Sequence, residues 1–424
     1  MEKSVIDELQ ERGFIAQITD TGLEEATKRE KLVVYAGFDP TASSLHIGHV
    51  IPALALAHFQ RYGHKPIALV GGATGLIGDP SGRSGERMLL PEETVEANVE
   101  GVKNQLAHFL SFEGDNAAII LNNSDWLSKF KLIEFLRDVG KHFSVNAMLA
   151  KDSIRMRLED REQGISFAEF SYMLLQAADY LHLHEHQGCN VQAGGSDQWG
   201  NITAGIDLIR RVHGDSVHGL TYPLLTKADG AKFGKSEGGA IWLDPNLTSP
   251  YEMYQYWLNI DDKDVVRFLK IFTFLPMERI AELQREVEER PEARAAQRVL
   301  AWEFTSLVHG EEVARAVSKA SSFLFGSDPS ELDNDALAHV TTAAPVTMID
   351  RSQVTEGIAL EDALILADLA KSKREARQLL GQGGVYVNNQ RCAPEDRLSP
   401  YSLVLDKAVL LRVGKKRYGL LVVR

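Results

Sequence analysis

Cysteine is nearly absent: Cys189 and Cys392 are the only two among 424 residues. That excludes a disulfide framework and any cysteine-built zinc site, and it leads us to expect a reducing, cytoplasmic setting. No apolar run approaches the roughly 18 residues of a membrane span. The opening stretch from Met1 to Asp7 carries no apolar signal core, so neither anchoring nor export is expected. Internal repeats and low-complexity tracts are missing too. What is present is ordinary for a globular chain, 44% hydrophobic and 25% charged. Its length exceeds one core, so two or three domains are expected.

Positive charge is scarce overall, with a net charge of −13. That argues against a nucleic-acid partner until its distribution is considered. Residues 371–424 hold 12 Lys or Arg against 4 Asp or Glu, which leaves −21 on the rest of the chain. An acidic body with a basic C-terminal module suits local contact with phosphates, although a basic tail that merely aids solubility has the same composition.

Leu32 to Phe38 reads as a buried strand, followed by a polar loop over 39–45 and an apolar helix from about His49 to Tyr62. His64 to Gly72 reads as the next strand. A helix over 92–110 leads to a strand at Ala117 to Leu121, and helices near 131–140, 167–180 and 201–212 flank a short strand at Val191 to Ala193. Strands alternating with helices predict an α/β fold, a Rossmann-like doubly wound parallel sheet over 1–248. From Ser249 the strand signal stops, which predicts an all-helical domain over 249–325. Residues 326–356 have little periodicity and read as a linker. Residues 357–424 read as a small α+β domain, with two short helices (360–369 and 372–381) ahead of turn-separated strands.

Two short motifs carry chemistry. His46-Ile47-Gly48-His49 sits at a strand–loop–helix junction, where unpaired N–H groups favour an anion and where doubly wound sheets bind ligands. Gly48 leaves room for a base or ribose against the backbone. Lys232-Phe233-Gly234-Lys235-Ser236 lies on a glycine-bearing loop, from which two ammonium groups can follow phosphates as charge develops. Alone, the first could be two structural histidines at a helix start and the second a solvated loop.

Tyr172, Gln176 and Asp179 fall at i, i+4 and i+7, one face of a helix. They can build a polar pocket, or they can be the polar side of an ordinary helix whose core side is Phe170, Leu174 and Leu175. His182, His184 and His186 alternate in a way that suggests a metal site, but no cysteine or second histidine cluster completes one, so no metal ligands are expected. The glycine run from Gly71 to Gly78 mimics a dinucleotide fingerprint without its spacing. It reads more simply as room for close approach to a substrate.

Together these elements resemble the class I aminoacyl-tRNA synthetases. Tyr35 to Thr41, Gly78 to Ser81, Phe170 to Asp179 and Gly194 to Asn201 narrow the resemblance to the bacterial tyrosyl-tRNA synthetases, over nearly the whole chain. Phe233-Gly234 departs from the commoner Met-Ser but keeps both lysines, a variant typical of tyrosyl enzymes. The resemblance implies that tyrosine and ATP, with Mg²⁺ inferred from the chemistry of ATP, form tyrosyl-adenylate, and that tyrosine then passes to the terminal adenosine of tRNA(Tyr). It implies that Asp179 and Tyr35 bind the tyrosine hydroxyl, Asp79, Tyr172 and Gln176 its ammonium, and that Gln198 helps with its carboxylate. His46, Gly48, His49, Asp39, Thr41 and Asp197 would contact ATP, while Arg83, Arg87, Lys232 and Lys235 would grip pyrophosphate. A buried Asp179 would make a separate editing domain unnecessary, and none is visible between Tyr35 and Lys232.

Residues from Ser372 to Leu380 and Gly383 to Asn388 look like the small RNA-binding fold first named from a ribosomal protein. That assigns Lys373, Arg374, Arg377, Lys415, Lys416 and Arg417 to phosphates, unless this domain serves dimerisation or packing. The helical domain would approach the anticodon, and the enzymes of this subclass are homodimers. Two alternatives stay open: a tryptophanyl enzyme, whose apolar pocket does not need Asp179, and an RNA-binding regulator on a synthetase scaffold.

Overall fold

The computed structural model describes residues 3–81, 90–151, 154–155, 158, 164–226, 228, 233–236, 239–414 and 417–424. The chain divides into two compact units, 1–248 with 261–296, and 249–260 with 297–424.

The first unit is built on a six-stranded sheet: β1 (Gln17–Ile18), β2 (Val33–Phe38), β3 (Lys65–Val70), β4 (Ile119–Asn122), β5 (Val191–Gly195) and β6 (His218–Tyr222). Its order is β1-β6-β5-β2-β3-β4. β2 to β6 are parallel, as expected; β1 adds an antiparallel edge that the sequence did not announce, because two residues carry no period. Helices cover both faces, so strand residues such as Val34, Ala36, Ile67 and Ala68 are buried. From β2 the chain winds outward through β3 to β4, then returns to lay β5 on the other side of β2. The carboxyl ends of β2 and β5 therefore flank the reversal point, where such sheets bind ligands.

Three helices shape that point. Phe167–Gln187 starts at a capping box between Ser166 and Glu169 and ends at Gly188 in the left-handed conformation. With Trp199–His213 it packs Leu174, Ala177, Tyr180, Leu183, Ala204 and Leu208 into the core beneath the sheet. The third helix, Glu92–Leu106, braces the loop after β2. Asn98, Gly101 and Gln105 fall at i, i+3 and i+7, on one face of this helix. Asn98 Nδ2 donates to the Pro40 carbonyl at 3.0 Å, and the Leu45 N–H donates to Gln105 Oε1 at 2.7 Å. A side chain at Gly101 would stand 2.2 Å from the Ser43 carbonyl.

The helices expected over 249–325 are present as Pro250–Leu258, Asp262–Phe272, Met277–Glu289 and Ala295–His309, and a fifth, Glu311–Leu324, follows them. They are shared between the units, because residues 261–296 group with the sheet. Arg12 illustrates why: its guanidinium pairs with Glu8 and donates to the carbonyls of Lys270, Thr273 and Leu275.

In the second unit, the stretch expected as a linker is structured. It carries the helix Asn334–Ala343 and the strand Val346–Ile349, which pairs in parallel with Arg417–Val423. Four short apolar-polar residues on a sheet edge are too few to show a period. The five-stranded sheet also contains Gln390–Arg391, Val385–Val387 and Ala408–Val413. The helices Leu360–Leu366 and Lys373–Gly381 bury Leu360, Leu364, Ala376 and Leu380 with Val409, Leu411 and Leu421.

Candidate active site

A cavity of about 870 Å³ opens at the reversal point. Most residues singled out in the sequence line it: Tyr35, Asp39, His46, Gly48, His49, Asp79, Tyr172, Gln176, Asp179, Asp197 and Gln198. Thr41 does not; it is exposed on the loop after β2. Arg83, Arg87 and Lys232 lie outside the described residues, as do Lys415 and Lys416 of the second unit. Lys235 begins a two-residue strand paired with Gly239–Ala240.

The two motifs meet through backbone. The Ile47 N–H donates to the Ile241 carbonyl at 3.0 Å, and the Leu243 N–H to that of Leu45 at 2.9 Å. The Ile241 N–H in turn reaches the Gly234 carbonyl at 3.1 Å. Gly234, with φ of +85°, has its α-carbon so placed that a side chain there would stand 3.4 Å from the Gly48 nitrogen. Only glycine takes that conformation and that proximity without strain. Next to it, Phe233 packs on Phe268 and Phe272. The His46 and His49 rings stack with centroids 3.7 Å apart, and His46 Nδ1 accepts from the Gly48 N–H at 3.0 Å. A side chain at Gly48 would strike the His46 ring.

At the cavity floor, the Asp179 carboxylate is buried with no cation among its hydrogen-bond partners in the described residues. Asn123 Nδ2 donates to one oxygen at 2.9 Å and Trp126 Nε1 to the other at 2.7 Å. Burial pushes its pKa up to about 7 against the pull of those two donors, with Asp39 adding to the rise. Tyr35 is fully buried and its hydroxyl has no hydrogen-bond partner among the described residues. Burial, then the nearby Asp179 carboxyl, keeps that phenol protonated well above its usual range. A phenolic donor and a carboxylate acceptor thus share one cavity.

Higher up, Tyr172 donates to Asp39 at 3.0 Å and Thr74 to the other Asp39 oxygen at 3.1 Å. Gly71 is part of this arrangement, since a side chain there would lie 2.3 Å from Asp39 Oδ1. Asp79 accepts from the Ser81 N–H at 2.9 Å and from Gln198 Nε2 at 2.6 Å. Asn201 bridges Gln198 and Gln176, donating to their side-chain oxygens at 3.0 and 3.1 Å. Burial, then Asp79, raises the Asp197 pKa. Four carboxyl groups around one cavity favour a cationic group on the ligand.

Sequence reasoning missed Asn123, Trp126, Thr74 and Asn201. A signal existed for the first two: Asn123 to Trp126 follows the carboxyl end of β4, where ligand-side segments lie in such sheets. Among the described residues, no group of three or more His, Cys, Asp or Glu side chains is arranged to hold a metal.

In the second unit, Arg374 is exposed on the helix Lys373–Gly381. Lys373 pairs with Asp362 at 2.7 Å and Arg377 with Glu361 at 2.6 Å. Arg417 donates to the Leu369 carbonyl. The basic helix is therefore partly neutralised by its neighbour, which charge counting alone did not reveal.

The family model described as tRNA synthetases class I (W and Y) matches residues 27–326. A second, described as the Tyrosine--tRNA ligase SYY-like C-terminal domain, matches residues 341–421. The chain is 51% identical over 421 residues to a tyrosine--tRNA ligase of Roseiflexus castenholzii, covering 99% of both chains. It is 51% identical over 423 residues to one of Geobacillus stearothermophilus, covering 98% of this chain and 99% of that one. Among solved structures, a C-terminally truncated mitochondrial tyrosyl-tRNA synthetase of Aspergillus nidulans matches with a TM-score of 0.70 at 35% identity, over 76% of this chain and 95% of that chain. The chain belongs to the class I tRNA synthetases and, within them, to the tyrosine--tRNA ligases.

The buried carboxyl makes stability pH-dependent. Folded Asp179 holds its proton up to about pH 7, whereas an unfolded aspartate releases it near 3.9. Between those values the native state binds more protons, so this group's contribution falls as pH rises, by a few kcal/mol over the whole window. Unfolding midpoints of the Asp179→Asn variant should lack that fall; a wild-type-like pH profile in the variant would contradict the assignment.

Proposed function

We propose that the cavity binds tyrosine and ATP side by side and joins them through the α-phosphate. The observation that carries this reading is the pair at the floor. The tyrosine hydroxyl donates to Asp179 and accepts from Tyr35, which satisfies both with one group. An indole N–H donates but does not accept, and a phenyl ring does neither, so tryptophan and phenylalanine leave buried polar groups unpaired. Asp79 receives the substrate ammonium, with Tyr172 and Gln176 beside it, and the remaining N–H of Gln198 serves the substrate carboxylate.

ATP lies toward the stacked His46 and His49, against the backbone at Gly48, with Asp39 and Asp197 on the nucleotide side. A tyrosine carboxylate oxygen attacks the α-phosphorus, the bond to the β-phosphate bridging oxygen breaks, and pyrophosphate leaves with that electron pair. The adenylate carbonyl is then attacked by a hydroxyl of the terminal adenosine of tRNA(Tyr), releasing AMP. No covalent enzyme intermediate is required. Catalysis is positioning plus charge stabilisation by His46, His49, Arg83, Arg87, Lys232 and Lys235. We assign Mg²⁺ to the substrate, carried on the phosphates of ATP.

We assign tRNA binding in part to the second unit, through Arg374, Lys415, Lys416 and Arg417, with Lys373 and Arg377 exchanging their carboxylate partners for phosphates. We further propose a homodimer. The helix Leu132–Asp138 buries none of its residues, and Leu132, Ile133, Leu136, Val145 and Phe167 are all exposed. A helix with an uncovered apolar face calls for a partner, here a second copy. No helix among the described residues is long and apolar enough to cross a membrane, and the two cysteines are unpaired, in keeping with a reducing cytoplasm.

Exchange of labelled pyrophosphate into ATP should require tyrosine and should lose roughly 10- to 100-fold in kcat/KM for tyrosine on Asp179→Asn; exchange that is equally fast with phenylalanine would sink the pocket assignment. Arg374→Ala should weaken tRNA binding and lower the slope of log affinity against log salt by about one, and an unchanged slope would remove Arg374 from the interface. Sedimentation equilibrium should give twice the chain mass and, for Ile133→Asp, a shift toward the single chain; a monomeric wild type would refute the dimer.

A further inference from the structure

The three alternating histidines fall into two sets. His182 and His186 lie three and seven residues after Asp179 on the helix Phe167–Gln187, along the same face. Their rings continue a stack that begins at Trp126. Trp126 and His182 have centroids 4.2 Å apart with planes 14° apart, and His182 and His186 follow at 4.1 Å and 20°. His186 Nδ1 lies 2.9 Å from the His182 carbonyl oxygen, which fixes the outer ring. His184 points elsewhere, with Nε2 3.0 Å from the Asp215 carboxylate. At the inner end of the stack, the Trp126 Nε1–H donates to Asp179.

We propose that His182 is a positioning residue for tyrosine specificity: lying flat on the Trp126 indole, it keeps the Nε1–H aimed at the Asp179 carboxylate. The inference deepens the pocket reading above and rests on it. An indole has a single donor at one point of its edge, so a modest rotation of the ring loses the bond. Trp126 reaches the boundary of the core, with 9% of its surface exposed, and no other described hydrogen bond holds its ring. The imidazole covers the face through which the indole would swing, and His186 backs the imidazole. With that cover gone, Asp179 keeps only Asn123 as donor. Its carboxylate is then less stabilised and less well oriented to accept the substrate hydroxyl.

The test compares His182→Ala with His182→Phe, each alone and in a Trp126→Phe background, in tyrosine- and phenylalanine-dependent pyrophosphate exchange. His182→Ala should raise KM for tyrosine about tenfold, with kcat and KM for ATP little changed, and should lower the tyrosine-to-phenylalanine ratio of kcat/KM by a similar factor. His182→Phe keeps a flat ring and should restore most of both. In the Trp126→Phe background, His182→Ala should cost nothing further. His182→Leu, which fills the volume without a flat face, gives the same reading if the alanine variant folds poorly. An unchanged ratio in His182→Ala, an equal rise in KM for tyrosine and ATP, or a full-sized effect that persists without Trp126 overturns the proposal. Asp179→Asn separates the two levels. If it retains selectivity, the pocket reading itself fails; if it loses selectivity while His182→Ala does not, only the role of His182 falls.

Discussion

A carboxylate buried without a counter-charge is costly, and the first unit is arranged around paying that cost at Asp179. Two neutral donors, Asn123 and Trp126, reach it from the turn and short helix after β4, while burial still pushes its pKa to about 7. Such a group is worth keeping only if a ligand completes it. The unpartnered hydroxyl of Tyr35 beside it has the same logic with the opposite polarity. On the function proposed above, the floor of the cavity describes its ligand as a deficit: one donor and one acceptor that a single phenolic hydroxyl satisfies.

The rest of the site follows from sheet topology. Because β5 returns to the far side of β2, the ends of these strands bring Asp39 and the histidine motif against Asp197 and Gln198. The helix Glu92–Leu106 braces the loop from one side, and the segment 241–243 ties it from the other. On the function proposed above, substrate selection and phosphate chemistry thus occupy different walls of one cavity. The selective wall is hydrogen-bonded and buried; the phosphate wall is made of loops and backbone.

The alternation of strands and helices was legible because buried strands and amphipathic helices have periods that survive in one chain. β1 and Val346–Ile349 were not, since two or four residues at a sheet edge carry no period. In the site, the face holding Tyr172, Gln176 and Asp179 could be read from helical spacing, whereas its meaning came from resemblance. Asn123 and Trp126 were marked only by their place after β4; their role was not legible, because their partner lies on another element and only tertiary structure aligns an indole with a carboxylate. The basic C-terminal helix shows the converse. Its charges were counted correctly, but the pairing of Lys373 and Arg377 with Asp362 and Glu361 depends on a neighbouring helix that composition does not locate.

The short ladder joining residues 45–47 to 241–243 also has a bearing on how the chain acquires its activity. These segments are far apart in sequence, so the ladder closes a very long loop and wins little until the intervening sheet has already brought its ends together. The ladder is therefore expected to close late in folding, after the sheet that brings its ends together. On the function proposed above, a chain that lacks the ladder lacks an assembled phosphate site and so has no means of consuming ATP.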